Sequence, residues 1–137
     1  MIRIIPATTK HLKTIEEIAR ITWPHTFGDV MPAVQIAYML DLMYTKTALQ
    51  DQINHQGHQF VLLFYEGETM GYTSYEVNYK GIPQLMVHKL YVLPKAQGLG
   101  LGKRAFEYLH HIAKKNGQEK ITLKVFYQYK TAIAFYQ

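Results

Sequence analysis

Three glycines at alternate positions, Gly98, Gly100 and Gly102, are followed at once by two cations, Lys103 and Arg104. Glycine has no Cβ, so such a loop can take up positive φ and bring backbone N–H groups close to a bulky ligand. Leu101, Ala105, Leu109, Ile112 and Ala113 keep helical spacing from the same point, which directs a helix's unsatisfied N–H groups and positive dipole end at the loop. The result is an anion cradle. Each cation in that first turn costs about 0.3–1 kcal/mol, a penalty that a bound pyrophosphate reverses. The spacing is G-x-G-x-G, not the G-x-G-x-x-G of a dinucleotide site, and no Gly-Lys-Ser/Thr follows as a P-loop requires.

The charge distribution agrees. Fifteen Lys and Arg against ten Asp and Glu give +5, and no acidic residue falls between Glu76 and Glu107, where Lys80, Lys89, Lys95, Lys103 and Arg104 lie. A local basic field of this kind suits a polyanion, either nucleic acid or a phosphorylated cofactor. There is no cysteine, which excludes disulfides, thiolate metal sites and a cysteinyl intermediate and points to a reducing compartment. His110-His111 and the scattered His11, His25, His55 and His58 have no metal-site spacing, so surface histidines and no metal are expected. The longest apolar run, residues 60–65, is far shorter than the ~18 residues of a membrane span. The N-terminus has no leader pattern, so a cytoplasmic protein without a membrane partner is expected.

The elements that position the loop follow from periodicity and punctuation. At 137 residues and 48% hydrophobic, the chain suits a single domain, 1–137, with one core. Residues 2–5 read as an opening strand stopped by Pro6. Thr8 or Thr9 then caps a helix through Leu12, Ile15, Ile18, Ala19 and Thr22 that ends near Trp23-Pro24. A second helix starts at Pro32 and a third covers 45–54. Strands are expected at 59–65, 69–78 and 85–93, the last closed by Pro94. The glycine-initiated helix stops at Asn116-Gly117, and a strand at 120–125 and a helix from Thr131 follow. Three consecutive strands imply antiparallel pairing and the strand-helix-strand unit a parallel crossover, hence a mixed sheet.

The stretch Leu90-Tyr91-Val92-Leu93-Pro94-Lys95-Ala96-Gln97-Gly98-Leu99-Gly100-Leu101-Gly102-Lys103-Arg104 resembles the acetyl-CoA motif of the GNAT superfamily of N-acetyltransferases, Gln/Arg-x-x-Gly-x-Gly/Ala. Gln97, Gly100 and Gly102 fit the pattern, with Leu90-Tyr91-Val92 at the family's usual interval before it. The helical insertion, the hairpin and Lys130-Thr131-Ala132-Ile133-Ala134-Phe135-Tyr136 extend the likeness over most of the chain. The resemblance implies an α/β (α+β) fold with a mixed, mostly antiparallel sheet flanked by helices. It also implies acetyl-CoA as co-substrate and direct transfer to a primary amine in a ternary complex, with a polyamine or other small amine as partner. The pantetheine arm falls to the backbone of Leu90, Tyr91 and Val92. The phosphates fall to Gln97, Gly98, Leu99, Gly100, Leu101, Gly102 and Lys103. Tyr136 matches the tyrosine that protonates the departing thiolate, and a phenol with a pKa near ~10 holds its proton for that step.

The sequence departs from the family in three places. Tyr129 stands where relatives usually carry a cofactor-binding asparagine, and Met86 where some carry a catalytic glutamate. Strand alternation places His88 on the face of Met86 and Leu90, which makes His88 the candidate base, acting directly or through water. The chain stops at Gln137, before the C-terminal strand pair of relatives, so truncation is the expectation, with a homodimer that supplies the missing edge as the alternative. Trp23, Phe27, Tyr38 and Tyr44 either line an acceptor pocket or pack in the core, and Glu16, Glu17, Asp29 and Asp41 are the carboxylates available to a polycation. The rival class is a non-catalytic CoA-binding sensor or a basic nucleic-acid-binding module. No groove-reading or base-stacking motif occurs, so no nucleic-acid partner is expected.

Overall fold

The structure, a computed structural model, describes residues 1–123. The end of the last expected strand, the helix expected from Thr131, and Tyr129 and Tyr136 lie outside the described residues. The described elements are β1 (Ile2–Pro6), α1 (Leu12–Phe27), α2 (Ala33–Met43), α3 (Lys46–His55), β2 (Gln59–Tyr65), β3 (Glu68–Glu76), β4 (Gln84–Val92), α4 (Leu101–Lys115) and β5 (Lys120–Leu123). They form one sheet in the order β1-β2-β3-β4-β5, antiparallel except for the parallel β4–β5 pair. The mixed, mostly antiparallel sheet expected from the sequence is therefore present. No described helix is long and apolar enough to cross a membrane.

Helices cover both faces. Leu12, Ile15, Ala19 and Trp23 of α1 pack on Leu62 and Tyr72 in one buried cluster, while Leu109 and Ala113 of α4 pack on Val61, Leu85 and Val87 in the other. Burying a Leu- or Val-sized side chain stabilises by roughly 1.5–3 kcal/mol, so each helix is fixed by its apolar stripe. Thr45 caps α3, accepting from the Ala48 N–H at 3.2 Å. Thr8 caps a short 3-10 turn, Thr9–His11, that leads into α1.

One boundary differs from expectation. Helix α1 runs through Pro24 to Phe27, although an interior proline costs ~3 kcal/mol in lost bonding and ring clash. Trp23 and Phe27 lie one turn apart with ring centroids 4.7 Å from each other, and both rings meet Tyr91 of β4 at 5.9 and 6.2 Å. That packing holds the last turn in place. The helix stops where the Gly28 N–H bonds the Pro24 carbonyl at 2.9 Å.

A second difference matters more for chemistry. The β3–β4 register shifts between Ser74, opposite Lys89, and Tyr75, opposite Val87, so His88 is an extra residue in β4. Such a bulge breaks the two-residue alternation of a strand. Before it, Leu85 and Val87 pack against α4. After it, Lys89 reaches Gln52 of α3 and Tyr91 reaches Trp23 of α1. The strict alternation that would group Met86, His88 and Leu90 on one face does not hold.

Candidate active site

Beyond β4 the chain makes a 3-10 turn, Pro94–Ala96, anchored by the Leu93 N–H donating to the Met70 carbonyl at 2.8 Å. The Gln97 side-chain Nε2 then donates back to the Val92 carbonyl at 3.3 Å. Gly98 and Gly100 adopt φ of 84° and 86°, a left-handed region that costs an L-residue about 1–2 kcal/mol. A Cβ at either would meet nothing within 4 Å. Among the described residues nothing crowds either position, so conformation demands glycine here.

Gly100 is the N-cap of α4 and no side chain caps it; the first turn holds no acidic residue. The first bond of the helix is Arg104 N–H to Gly100 C=O at 3.0 Å, so the amides of Leu101, Gly102 and Lys103 precede it without an intrahelical acceptor. Amides without an intrahelical acceptor, a positive dipole end and the exposed cations Lys103 and Arg104 suit a diphosphate. A cleft of about 270 Å³ borders Leu99, but two carboxylates, Glu66 and Glu68, line it against one cation, Lys95, which disfavours phosphate.

Leu90, Tyr91 and Val92 pair on one edge with Thr73, Tyr72 and Gly71 of β3. On the other edge β5 pairs with Gln84 to Val87, and among the described residues no strand lies against Leu90–Val92. Gly71 is required for the tight pairing, because a Cβ there would sit 2.5 Å from the Tyr91 carbonyl oxygen.

The basic window needs one correction. Lys89 is buried; its ammonium donates to Gln52 Oε1 at 2.8 Å and lies 5.7 and 5.3 Å from the ring centroids of Tyr44 and Phe60. Lys80, Lys95, Lys103 and Arg104 are exposed. The surface field is carried by these four.

At the bulge, His88 Nε2 lies 2.9 Å from Glu76 Oε1. A carboxylate only accepts, so Nε2 carries the hydrogen and the neutral tautomer keeps its lone pair on Nδ1. His58 stacks on His88 with centroids 3.9 Å apart and planes 8° from parallel, and its Nε2 is 3.9 Å from the same carboxylate oxygen. The side chains of His58, Glu76 and His88 are 11%, 24% and 7% exposed. His58 is therefore no surface histidine, unlike the exposed His25, His55, His110 and His111. Gly57, at φ 75°, turns the chain from α3 so that His58 comes alongside Glu76. Tyr79 closes the cluster with its ring 5.5 Å from His88, edge to face.

Two histidines and a glutamate are a donor set for zinc, and the three donor atoms lie within 4.8 Å of one another. The ring geometry opposes it. A metal bonds an imidazole nitrogen in the ring plane, and two nearly parallel planes this far apart cannot share one ion. Two imidazolium charges at 3.9 Å would repel by about 4 kcal/mol at an effective dielectric of 20. The arrangement favours one shared positive charge against one carboxylate.

The helical insertion supplies core rather than pocket at three of its four aromatic candidates. Trp23, Phe27 and Tyr44 are buried, while Tyr38 is 64% exposed. Tyr72 donates to the Tyr44 hydroxyl at 2.7 Å and Trp23 Nε1 to the same hydroxyl at 3.4 Å. Burial pushes the phenols of Tyr44 and Tyr72 well above the usual range. Of the four candidate carboxylates, Glu16 and Asp41 are bound by Arg20 at 2.9 and 3.1 Å.

Sequence reading singled out the loop and His88 but missed Glu76 and passed over His58. The hairpin held the signal for Glu76: folding β3 and β4 about the turn at Tyr79–Gly81 sets Glu76 opposite Met86, beside His88. Nothing local marks His58.

The pattern that defines the Acetyltransferase (GNAT) family matches residues 12–137. An uncharacterized N-acetyltransferase in the pepI 3' region of Lactobacillus delbrueckii subsp. lactis is 26% identical over 98% of this chain and 81% of its own length. Among solved structures, the PaiA N-acetyltransferase of Thermoplasma acidophilum in complex with coenzyme A has a TM-score of 0.86 at 23% identity, over 99% of this chain and 86% of that one. An aminoglycoside acetyltransferase from an uncultured soil metagenomic sample, in complex with sisomicin, has a TM-score of 0.70 at 16% identity, covering 98% and 84%.

Proposed function

This chain belongs to the Acetyltransferase (GNAT) family, and on that premise we propose that it is a cytoplasmic enzyme that moves an acetyl group from acetyl-CoA directly to a primary amine. The observation that carries the reading is the glycine loop on the uncapped start of α4, whose amides suit the diphosphate of coenzyme A. The relative solved with coenzyme A supports the same ligand. In this reading Gln97 to Lys103 take the phosphates, and the edge of Leu90, Tyr91 and Val92 beyond the residues paired with β5 takes the pantetheine arm as a false strand neighbour. The thioester is then delivered toward His88, next to the last residue of β4 paired with β5.

The amine attacks the thioester carbonyl as His88 removes its proton. The new N–C bond forms, the C–S bond breaks, and Tyr136 gives its phenolic proton to the leaving sulfur. Holding both substrates in register supplies up to ~7–11 kcal/mol, against the ~10²–10⁴-fold of a general acid or base. Positioning dominates. The acceptor is a small amine, with polyamines as one class. Glu17 and Asp29 remain exposed to draw its charge, since Arg20 has taken Glu16 and Asp41. An aminoglycoside-acting relative of the same fold fits a polycationic acceptor.

A panel of polyamines, aminoglycosides and amino acids, read by thiol release from acetyl-CoA, tests the reading. Release with at least one amine is expected. Saturable acetyl-CoA binding with no release by any amine would make the chain a sensor, and salt-sensitive oligonucleotide binding without coenzyme A binding would make it a nucleic-acid module.

A further inference from the structure

We infer that Glu76 and His58 work with His88 as one proton-holding unit, in which Glu76 fixes the His88 tautomer and supplies the countercharge when His88 takes the proton of the attacking amine. The inference rests on the reading above, in which His88 is the base, and adds two residues from other segments to it.

The geometry is that of an oriented imidazole. Glu76 Oε1 accepts from His88 Nε2 at 2.9 Å, so the basic nitrogen is Nδ1 and the ring cannot turn over without losing a charge-assisted bond. The bulge sets this up: it takes His88 out of strand alternation and brings it beside Glu76, which starts the turn out of β3. His58 covers the flat face of His88 and restricts its rotation. Its Nε2 lies 3.9 Å from the same oxygen, so a proton on His58 and a proton on His88 compete for one carboxylate. Among the described residues the cluster also meets Tyr79, edge-on to His88, and the Lys80 ammonium lies 5.6 Å from the Tyr79 ring centroid. Glu76 is the most exposed of the three side chains, at 24%. After transfer the proton taken at Nδ1 leaves an imidazolium held against the Glu76 carboxylate, and it passes to water once the amide product departs.

Glu76 is thus a positioning residue, and its removal should move a titration more than it moves binding. The test uses Glu76→Gln, which keeps an oxygen to accept from Nε2–H, and His58→Phe, which keeps the stacked ring. The His88 imidazole is followed by nitrogen NMR against pH without substrate, and kcat/KM is measured against pH with the best amine of the panel. In Glu76→Gln the His88 midpoint and the acid limb of the profile are expected to move down together by about one pH unit, with acetyl-CoA affinity unchanged. In His58→Phe the His88 midpoint is expected to rise, because the competing charge is gone. An unmoved midpoint in Glu76→Gln overturns the inference, as does micromolar zinc binding to the wild type that this variant abolishes. A wild type that acetylates no amine overturns the preceding reading instead, and the NMR midpoints separate the two failures.

Discussion

Where β4 ends, it hands the chain to a loop whose working groups are main-chain amides; in its middle, the bulge at His88 gathers side chains from three separate segments. The loop depends on two left-handed backbone angles, at Gly98 and Gly100, and places almost no demand on side chains: Leu99 is 41% exposed. The bulge depends on strand register and on two particular imidazole rings and one carboxylate. In the proposed reading, one strand serves a cofactor by shape and a substrate by chemistry. The two functions should therefore fail to different kinds of substitution.

The largest expected effect is at the bulge. His88→Ala should lower kcat by ~10²–10⁴-fold, the share of a general base, while calorimetry finds the acetyl-CoA Kd unchanged. A variant that loses cofactor binding with normal turnover would erase the division of labour. The loop should respond in the opposite way. Gly100→Val forces a β-branched residue to a φ of 86°, a strain of ~1–2 kcal/mol. The coenzyme A Kd should rise about tenfold, with kcat at saturating cofactor close to wild type. Leu99→Ser, with the same main chain, should stay within about twofold of wild type in both constants.

A smaller effect, read from stability, sharpens the comparison because it belongs to neither region. Tyr44 and Tyr72 have phenols raised by burial, so the unfolded chain loses these protons first, near the ordinary value of ~10. Above that pH the folded state binds more protons than the unfolded state, and stability must fall as pH rises. Thermal melts should therefore show no contribution from these phenols below pH ~9 and a falling Tm above it. A Tm that rises between pH 9 and 11 would contradict the buried assignment.

The same contrast explains what could be read from the sequence. The glycine loop was legible because its chemistry lies in consecutive residues, and a glycine spacing followed by a helical period reports directly on backbone shape. The strand at Gln59–Tyr65 and the stop at Asn116-Gly117 were legible for the same local reason. Lys89 was counted in the basic window, yet it is buried with its ammonium on Gln52; a register shift that decides which face it takes arises between strands and leaves no mark within either. Glu76 and His58 reach His88 only through the β3–β4 turn and the α3–β2 junction, which no single stretch encodes. The passage of α1 through Pro24 needed the contact of Trp23 and Phe27 with Tyr91, a tertiary override of a local stop signal.

The central claim is that main-chain amides at the start of α4 hold the diphosphate of coenzyme A, and a proton–nitrogen correlation NMR titration of the intact chain with coenzyme A addresses it amide by amide. The amides of Leu99, Gly100, Leu101, Gly102 and Lys103 are expected to show the largest saturable shifts, with a smaller response along Leu90–Val92. Saturable binding that leaves those five amides unmoved, or no binding at all by folded protein, would contradict the account.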